Sequence, residues 1–216
     1  MTSEELVSRI LYRDALMLVI DKPAGLPVHP GHGGGETLAD HLDALRFGLP
    51  ARPQVVHRLD RETSGCLALG RHPNALRRLN ALFSERRVEK LYWAWVEGGP
   101  GEESGTIDLG IAPVSRQTPW RMKADFSGAQ AVTEWRVLAR EEGRTLLALS
   151  PLTGRTHQLR VHCAAMGWPI AGDAVYGRAR RGDGSRLLLH ARALTIPLYP
   201  KKPAIHVEAP VPEHFR

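Results

Sequence analysis

The apolar residues of this chain fall into many short runs, and this pattern limits the folds available to it. Segments such as Leu16–Ile20, Cys66–Gly70 and Thr145–Leu149 have the length of single β-strands. Helical spacing of apolar residues is confined to a few short segments, and no strand–helix–strand unit repeats along the sequence. The pattern therefore predicts an α+β fold in which a β-rich, mixed and mainly antiparallel sheet is flanked by a few helices.

Individual elements can be placed within this pattern. Ile10–Tyr12 and Leu16–Ile20 are predicted to pair as a hairpin. Helices are predicted from Thr37, which has capping-box spacing to Asp40, from Pro73, and over 156–166. The other predicted strands are Cys66–Gly70, Lys90–Val96, Thr106–Leu109, Ala131–Leu138, Thr145–Leu149, Leu187–Ala191, Ala193–Ile196 and Ala204–Glu208. No linker or repeat is evident, so we expect one domain over residues 1–216.

Hydropathy and cysteine usage exclude several classes of protein. No apolar run approaches the roughly 20 residues that cross a bilayer, and the first residues lack the basic-then-apolar order of a secretory signal. Cys66 and Cys163 are too few for a disulfide framework and lack the spacing of a structural zinc site, so both are predicted to be buried. A soluble cytoplasmic protein is expected.

The positive charge of the chain is concentrated in two stretches. Lys and Arg number 29 against 23 Asp and Glu, a net charge of +6, and 24 of the cations are arginines. Residues 57–92 contain eight cations and four acids (+4), and residues 151–192 contain seven and two (+5), which leaves −3 for the rest. Arginine binds phosphate bidentately and stacks on bases, so this distribution predicts a polyanionic partner such as nucleic acid.

Several familiar catalytic motifs are absent or incomplete. The segment 32–35 reads His-Gly-Gly-Gly, as in the oxyanion loop of some esterases, but the chain has no GxSxG nucleophile elbow. It also lacks the GxxxxGK[ST] and GxGxxG phosphate loops. His157 and His162 lie five residues apart, whereas a helical metal pair prefers a spacing of four, so we interpret both as structural histidines and expect no metal.

A set of five segments resembles a known family. His57-Arg58-Leu59-Asp60-Arg61-Glu62-Thr63-Ser64-Gly65 comes first, and Lys90-Leu91-Tyr92 follows about thirty residues later. The set is completed by the segments TGRTHQLRVH (153–162), GDAVYG (172–177) and LLLHA (187–191). In order and spacing these segments resemble the RluA family of pseudouridine synthases, and the resemblance extends from Ile10 to Phe215. It implies the pseudouridine synthase catalytic fold, an RNA substrate and no cofactor, and we expect a monomer.

The departures from the family pattern are small. Cys66 follows the TSG triplet where an aliphatic residue is commoner, and residues 127–130 replace a more usual Gly-Lys turn. Only about nine residues precede the first predicted strand, so we expect the compact branch of the family, without the RNA-binding S4 domain that many relatives have.

The resemblance also implies the catalytic residues. The reaction breaks the N1–C1′ bond of a uridine in RNA and rejoins the uracil through C5, and the family pattern assigns the required carboxylate to Asp60. Attack on C1′, addition to the uracil ring and removal of a ribose proton all remain open for this group. A buried carboxylate needs a cation to stay ionised; the pattern assigns that role to Arg160, with Arg155 as a weaker candidate.

Further residues are assigned to RNA binding. Arg58 matches the family position whose side chain enters the gap left by the flipped nucleotide. Tyr92 is assigned to catalysis with Asp60 and Arg160: it matches the family's aromatic residue that packs on the extruded uracil and is a candidate to take the C5 proton late in the reaction. Its alternative role is that of a core tyrosine. Alternation along this strand places Trp93 and Trp95 on the opposite face, where they are predicted to be core residues. His57 is expected to shape the catalytic loop.

Basic residues outside the catalytic motifs are candidates for backbone contacts with the RNA. Lys90 is assigned to substrate binding. Further candidates are four arginines predicted to lie on the basic face of the helix that begins at Pro73: Arg77, Arg78, Arg86 and Arg87. Specificity for one RNA is expected to reside in the loops 31–35, 113–123 and 178–185.

Two other functions remain open at this stage. A non-catalytic RNA chaperone would use the same basic surface, although the presence of Asp60, Tyr92 and Arg160 argues against it. A glycosidase-like hydrolase would need a second carboxylate as general acid, and Glu62 is the nearest one. The sequence does not distinguish transfer RNA from large-subunit ribosomal RNA as the substrate.

Overall fold

The fold was analysed in a computed structural model, which describes residues 1–30, 34–180 and 182–215. The chain divides into two compact units, which we describe separately. Unit 1 comprises residues 1–90 and 191–211, and unit 2 comprises residues 91–190 and 212–216. The expectation of a single domain remains a prediction.

The elements lie close to their predicted positions. The helices are α1 (Ser3–Ser8), α2 (Pro73–Ser84) and α3 (Gln158–Ala165). The strands are β1 (Ile10–Arg13), β2 (Met17–Lys22), β3 (Gln54–Val55), β4 (Ser64–Gly70), β5 (Glu89–Glu97), β6 (Ser104–Asp108), β7 (Ile111–Pro113), β8 (Met122–Ala124), β9 (Val132–Glu141), β10 (Arg144–Pro151), β11 (Leu189–Ile196) and β12 (Ile205–Glu208). Single 3₁₀ turns occur at Leu38–Asp40, Leu42–Leu45 and Glu213–Phe215.

Unit 1 is built on the strands β1, β2, β4 and β11, in that order, with β3 paired to β4 and β12 to β11. The predicted hairpin of β1 and β2 is confirmed, because Arg13 pairs with Leu18 in an antiparallel register. The carboxylate of Asp14 accepts hydrogen bonds at 2.8 Å from the amides of Leu16 and Met17, which fixes the turn. Strand β4 runs antiparallel to β2, with Lys22 opposite Gly65.

Helix α2 covers the sheet of unit 1. It begins with Pro73 at its first position, as predicted, and its apolar face packs Leu79 and Leu82 against Met17 and Cys66. Burial raises the pKa of the Cys66 thiol to about 12. The prediction that Cys66 is a buried structural residue is therefore confirmed.

Unit 2 contains the antiparallel strands β5, β10, β9 and β6, in that order, and the separate hairpin of β7 and β8. The predicted alternation of β5 is confirmed for one face, where Ala94 and Val96 are buried in the main apolar cluster and Tyr92 packs against it. Trp93, predicted to be a core residue of the other face, is only partly buried. On the opposite face Trp95 is buried, and its indole N–H donates to the carbonyl oxygen of Phe215 at 2.9 Å.

Helix α3 packs on this cluster through Leu159 and Cys163, and burial raises the pKa of the Cys163 thiol. His162 lies on the same helix and is fully buried. Its Nδ1 lies 2.9 Å from the Thr133 hydroxyl, and its Nε2 lies 3.0 Å from the Leu109 carbonyl oxygen. Both ring nitrogens are thus used within the fold, which confirms the interpretation of His162 as a structural histidine.

The structure differs from the predictions at several elements. The helix predicted from Thr37 is replaced by two 3₁₀ turns, although the Thr37 amide does donate to the Asp40 carboxylate at 2.8 Å. The predicted strands Leu187–Ala191 and Ala193–Ile196 form the single strand β11. Helix α2 ends at Ser84, so Arg86 and Arg87 lie beyond it. Short elements with little periodicity (α1, β3, β7 and β8) were not predicted.

Part of one predicted loop, residues 31–33, lies outside the described residues, as does Arg181 within the predicted loop 178–185. In the parts of the chain that are described, no helix is both long and apolar enough to cross a membrane.

Gly172 offers a test of the fold of unit 2. It has a φ of +74°, and a Cβ atom there would overlap the carbonyl oxygen of Arg186. Gly167 has a similar φ of +86° but open space around it. We expect Gly172→Ala to lower the free energy of unfolding by at least about 3 kcal/mol, and Gly167→Ala by about 1 kcal/mol, the cost of the backbone conformation alone.

Urea denaturation monitored by tryptophan fluorescence would measure both values. Equal losses in the two variants would contradict the close approach of Gly172 to the Arg186 backbone.

Candidate active site

In unit 1, Lys22 holds the loop that contains Asp60. Its side chain is fully buried, and Nζ donates to the carbonyl oxygens of Pro23 at 2.8 Å, Leu26 at 2.8 Å and Arg61 at 3.1 Å. These bonds match the three donors of an ammonium group. Because Arg61 directly follows Asp60, Lys22 fixes the backbone beside the carboxylate.

The loop is held at two further points. The Arg61 carbonyl oxygen also accepts from the Gly25 amide at 2.9 Å, and the Thr63 amide donates to the Asp60 carbonyl oxygen at 3.1 Å. Gly65 follows with a φ of +106°, and a Cβ atom there would overlap the Ala191 carbonyl. Asp60 therefore lies in a tight turn with a defined backbone and is itself partly exposed.

His57, at the start of this loop, has a structural role. Its ring stacks on Phe83 with centroids 4.5 Å apart, and Nε2 accepts from the Ala68 amide at 3.0 Å. Burial, assisted by the charge of Lys90, lowers the pKa of His57 to about 3. The imidazole is therefore neutral at physiological pH, and its role in shaping the catalytic loop remains a prediction.

The two basic residues predicted in unit 1 differ in exposure. Arg58 is exposed next to the loop, whereas Lys90 is partly buried at the start of β5. Burial, followed by the charge of Arg86, lowers the pKa of Lys90 to about 8, so Lys90 still carries its charge at neutral pH.

In unit 2, Arg160 forms a buried ion pair with Asp173. The guanidinium donates from Nε at 2.7 Å and from Nη2 at 2.8 Å to the two carboxylate oxygens. The amides of Val175 and Tyr176 donate to the same carboxylate. Burial favours the neutral acid, but the bonds and charge of Arg160 together with these amides hold the pKa of Asp173 below its usual value. The predicted partnership of Arg160 with Asp60 remains a prediction.

Tyr176 connects this ion pair to its surroundings. The guanidinium carbon of Arg160 lies 5.1 Å from the centroid of the Tyr176 ring. The Tyr176 hydroxyl accepts from the Met122 amide at 2.9 Å and lies 2.7 Å from Nδ1 of His157. His157 itself has a φ of +55° and is the N-cap residue that precedes α3. The position of Arg160 thus depends on a network that extends to the β7–β8 hairpin.

The other two predicted residues of unit 2 are more accessible. Tyr92 is partly buried and contacts the main apolar cluster, as in its alternative role of core tyrosine. Arg155 is exposed, and its Nε donates to the Gln130 carbonyl oxygen at 3.0 Å. The contact of either residue with RNA remains a prediction.

The sequence of this chain was then compared with known proteins. The sequence model of the RNA pseudouridylate synthase family matches residues 16–165, a span that includes Asp60, Tyr92 and Arg160. This chain belongs to the RNA pseudouridylate synthase family. Its activity is accordingly that of an RNA pseudouridine synthase, an isomerase that acts on RNA.

The synthase is similar to proteins from several sources. It is 49% identical to an RNA pseudouridine synthase of Zymomonas mobilis, over 97% of this chain and 96% of that protein. It is 37% identical to the dual-specificity RNA pseudouridine synthase RluA of Yersinia pestis, over 96% and 97% of the two chains. It spans only 66% and 57% of two longer relatives.

Among solved structures, the synthase resembles human RNA pseudouridylate synthase domain containing 4. The TM-score is 0.82 at 29% sequence identity, and the match covers 99% of this chain and 92% of the human one. The predicted sheet-dominated α+β fold of the pseudouridine synthases is therefore confirmed.

Sequence reasoning missed two supporting residues of the synthase. Lys22 was assigned no role, although a lysine between an apolar strand and a proline signals a charge at a buried strand end. Asp173 lies within a family segment, but nothing in the sequence pairs it with Arg160. Both are buried charged groups. Lys22 contacts a loop 39 residues away in sequence, and Asp173 contacts Arg160 on α3.

The buried ammonium of Lys22 leads to a prediction about pH. Burial lowers the pKa of Lys22 to about 8, against the charges of Glu62, Asp60 and Asp21. A lysine in the unfolded chain has a pKa of about 10.4, so between these values the unfolded state binds more protons. The contribution of Lys22 to the free energy of unfolding should therefore increase with pH, by about 1 kcal/mol per pH unit.

The measurement compares wild type with Lys22→Met by urea denaturation from pH 7 to pH 10. The unfolding free energy of wild type minus that of Lys22→Met is expected to rise with pH. The other titrating groups are the same in both proteins, so their contributions cancel in this difference. A difference that stays constant over this range would show that Lys22 is not buried as a charged group.

Proposed function

We propose that this synthase isomerises a specific uridine of transfer RNA, large-subunit ribosomal RNA or both, with Asp60 as the catalytic carboxylate. The observation that supports this assignment most directly is the fixed backbone around Asp60, which Lys22 and Gly25 hold through the Arg61 carbonyl. A catalytic group must be held in place before the substrate arrives, and this loop does so while leaving the carboxylate partly exposed.

The proposed roles of the other residues follow the family pattern. The target uridine leaves its stack, and Arg58, which is exposed, occupies the space it vacates. Tyr92 packs on the uracil, and Arg160, oriented by Asp173, supplies positive charge to the site. Arg155 and Lys90 contact the RNA backbone, and His57 supports the loop.

In the reaction, the N1–C1′ bond breaks and a C5–C1′ bond forms. The C5 proton is lost to solvent and N1 regains a proton, so the reaction consumes no co-substrate. We propose that the protein acts as a monomer in the cytoplasm, without cofactor or metal.

Incubation with RNA that contains [5-³H]uridine tests this proposal. We expect release of tritium, equimolar pseudouridine in the digested RNA and no free uracil. No release from total cellular RNA would overturn the proposal and favour an RNA chaperone. Free uracil would instead indicate a hydrolase, a role for which Glu62 is poorly placed, since it is exposed and lies 3.4 Å from Arg61.

Mapping of pseudouridines in RNA from cells that lack the gene would identify the substrate. The expected result is loss of pseudouridine at a specific position in transfer RNA, in large-subunit ribosomal RNA or in both.

A further inference from the structure

The β7–β8 hairpin and the turn after it, residues 111–128, form a segment that we call the aromatic arm. It contains three cations and one acid, a net charge of +2. It also contains the aromatic residues Trp120 and Phe126. The function proposed above assigns no contact with RNA to the exposed side chains of this arm.

The aromatic residues of the arm are unusually exposed. The accessible fraction is 94% for Phe126, the highest among the large apolar residues that the structure describes, and 47% for Trp120. Burial of an aromatic side chain contributes strongly to stability through the hydrophobic effect. Two exposed aromatic side chains on one short segment therefore indicate a binding surface.

The base of the arm, in contrast, is fixed to unit 2. Ile111 is buried with Val161 of α3, and Met122 packs against this cluster while its amide donates to the Tyr176 hydroxyl at 2.9 Å. A Cβ atom at Gly110 would approach the Asp125 carbonyl oxygen to 2.5 Å, so the chain closes tightly here. The exposed side chains therefore project from a rigid support.

Two cations of the arm form no ion pair within the described parts of the chain. Lys123 lies 3.0 Å from the Asp125 carboxylate, which also accepts hydrogen bonds from Ser127. Arg116 and Arg121 are exposed and have no acidic partner among the described residues. The single acid of the arm is thus already used, and two arginines are available to an anion.

We infer that the aromatic arm binds unpaired nucleotides of the RNA substrate, with Phe126 and Trp120 stacking on bases and Arg116 and Arg121 contacting phosphates. The inference rests on the proposed function, which supplies the RNA. Stacking of bases on aromatic rings beside arginines is the usual mode of single-strand recognition. Because Arg116 and Arg121 have no acidic partner among the described residues, the arm is better suited to bind RNA, a polyanion, than a protein.

The test measures the affinity of purified full-length variants for two probes, oligouridylate and a fully paired RNA duplex. Phe126→Ala and Trp120→Ala are each expected to weaken oligouridylate binding about 5- to 100-fold, with a smaller effect on the duplex, whose bases cannot stack on a side chain. Phe126→Tyr should retain binding. Met166→Ala is the matched control, because Met166 is 45% exposed and lies outside the arm.

The arginines give a separate signature. Replacing Arg116 and Arg121 together by glutamine should reduce the slope of log K against log salt by about 0.7 for each phosphate that the protein no longer neutralises. Thermal unfolding of each variant would show that the fold is intact.

The outcomes separate this inference from the proposed function. Wild-type affinity in Phe126→Ala and Trp120→Ala would overturn the inference while leaving isomerase activity untouched. Equal RNA affinity with altered self-association, measured by light scattering, would overturn it and assign the arm to a protein contact. Weakened oligouridylate binding by the variants would support the arm even if the wild type released no tritium.

Discussion

Asp60→Asn is expected to abolish pseudouridine formation while the protein remains folded. Asparagine preserves the shape of the side chain but removes the charge that the reaction requires, and loss of such a group reduces rates by about a thousandfold or more. The substitution leaves the contacts of Lys22 with the loop in place, because these are made to backbone carbonyl groups. Tritium release under single-turnover conditions would measure the rate.

The matched control for this variant lies in the same loop. Glu62→Gln also removes one carboxylate charge, but Glu62 is exposed and has no role in the proposed isomerase reaction, so we expect a rate within a few-fold of wild type. RNA affinity should persist in both variants. Wild-type turnover by Asp60→Asn would exclude Asp60 as the catalytic carboxylate, and loss of activity in Glu62→Gln alone would favour the hydrolase.

The second large effect is expected at Asp173. Asp173→Asn removes the negative charge of the carboxylate that accepts two hydrogen bonds from the guanidinium of Arg160, which is only 7% exposed. Breaking a buried ion pair in this way costs about 3–5 kcal/mol. Because the pKa of Asp173 is lowered in the folded state, its stabilising contribution is present at neutral pH and is lost as the pH falls below about 4.

Urea denaturation of wild type and Asp173→Asn at pH 7 and at about pH 3 would measure this loss, and the difference between the two proteins should be smaller at the lower pH. Glu134→Gln is the control, since Glu134 is exposed on β9 and its substitution should change the unfolding free energy by less than about 0.5 kcal/mol. The double variant with Arg160→Met and Asp173→Leu should recover most of the stability but not the activity. A double variant that is active would exclude Arg160 from the reaction.

The elements of the fold could be predicted from the sequence wherever they have a strong local pattern. Strand β5 is predicted over Lys90–Val96 from its apolar residues, and helix α2 has both an N-terminal proline and an apolar face. The leucines after Thr37 have helical spacing and predict a helix, but burial of Leu38 and Leu42 is achieved there by 3₁₀ turns. Local spacing does not distinguish these two solutions over so few residues.

The candidate site could be predicted from the sequence only in part. Family segments supplied Asp60 and Arg160, but the groups that hold them depend on contacts remote in sequence. Lys22 reaches Arg61 across 39 residues, and Asp173 reaches Arg160 from a separate loop. Neither contact has a periodic signal, because each joins a single charged group to a single partner. The exposure of Phe126 is equally invisible in a sequence, where an aromatic residue suggests burial.

The two buried cysteines allow the opening of each unit to be measured by the rate of thiol labelling. Each unit contains one thiol, Cys66 in the first and Cys163 in the second, and burial raises the pKa of both, so the native state offers reagents no ready thiolate. Modification can then proceed only through opening of the surrounding unit. The two labelling rates, separated by peptide mass spectrometry, would report how often each half of the molecule opens.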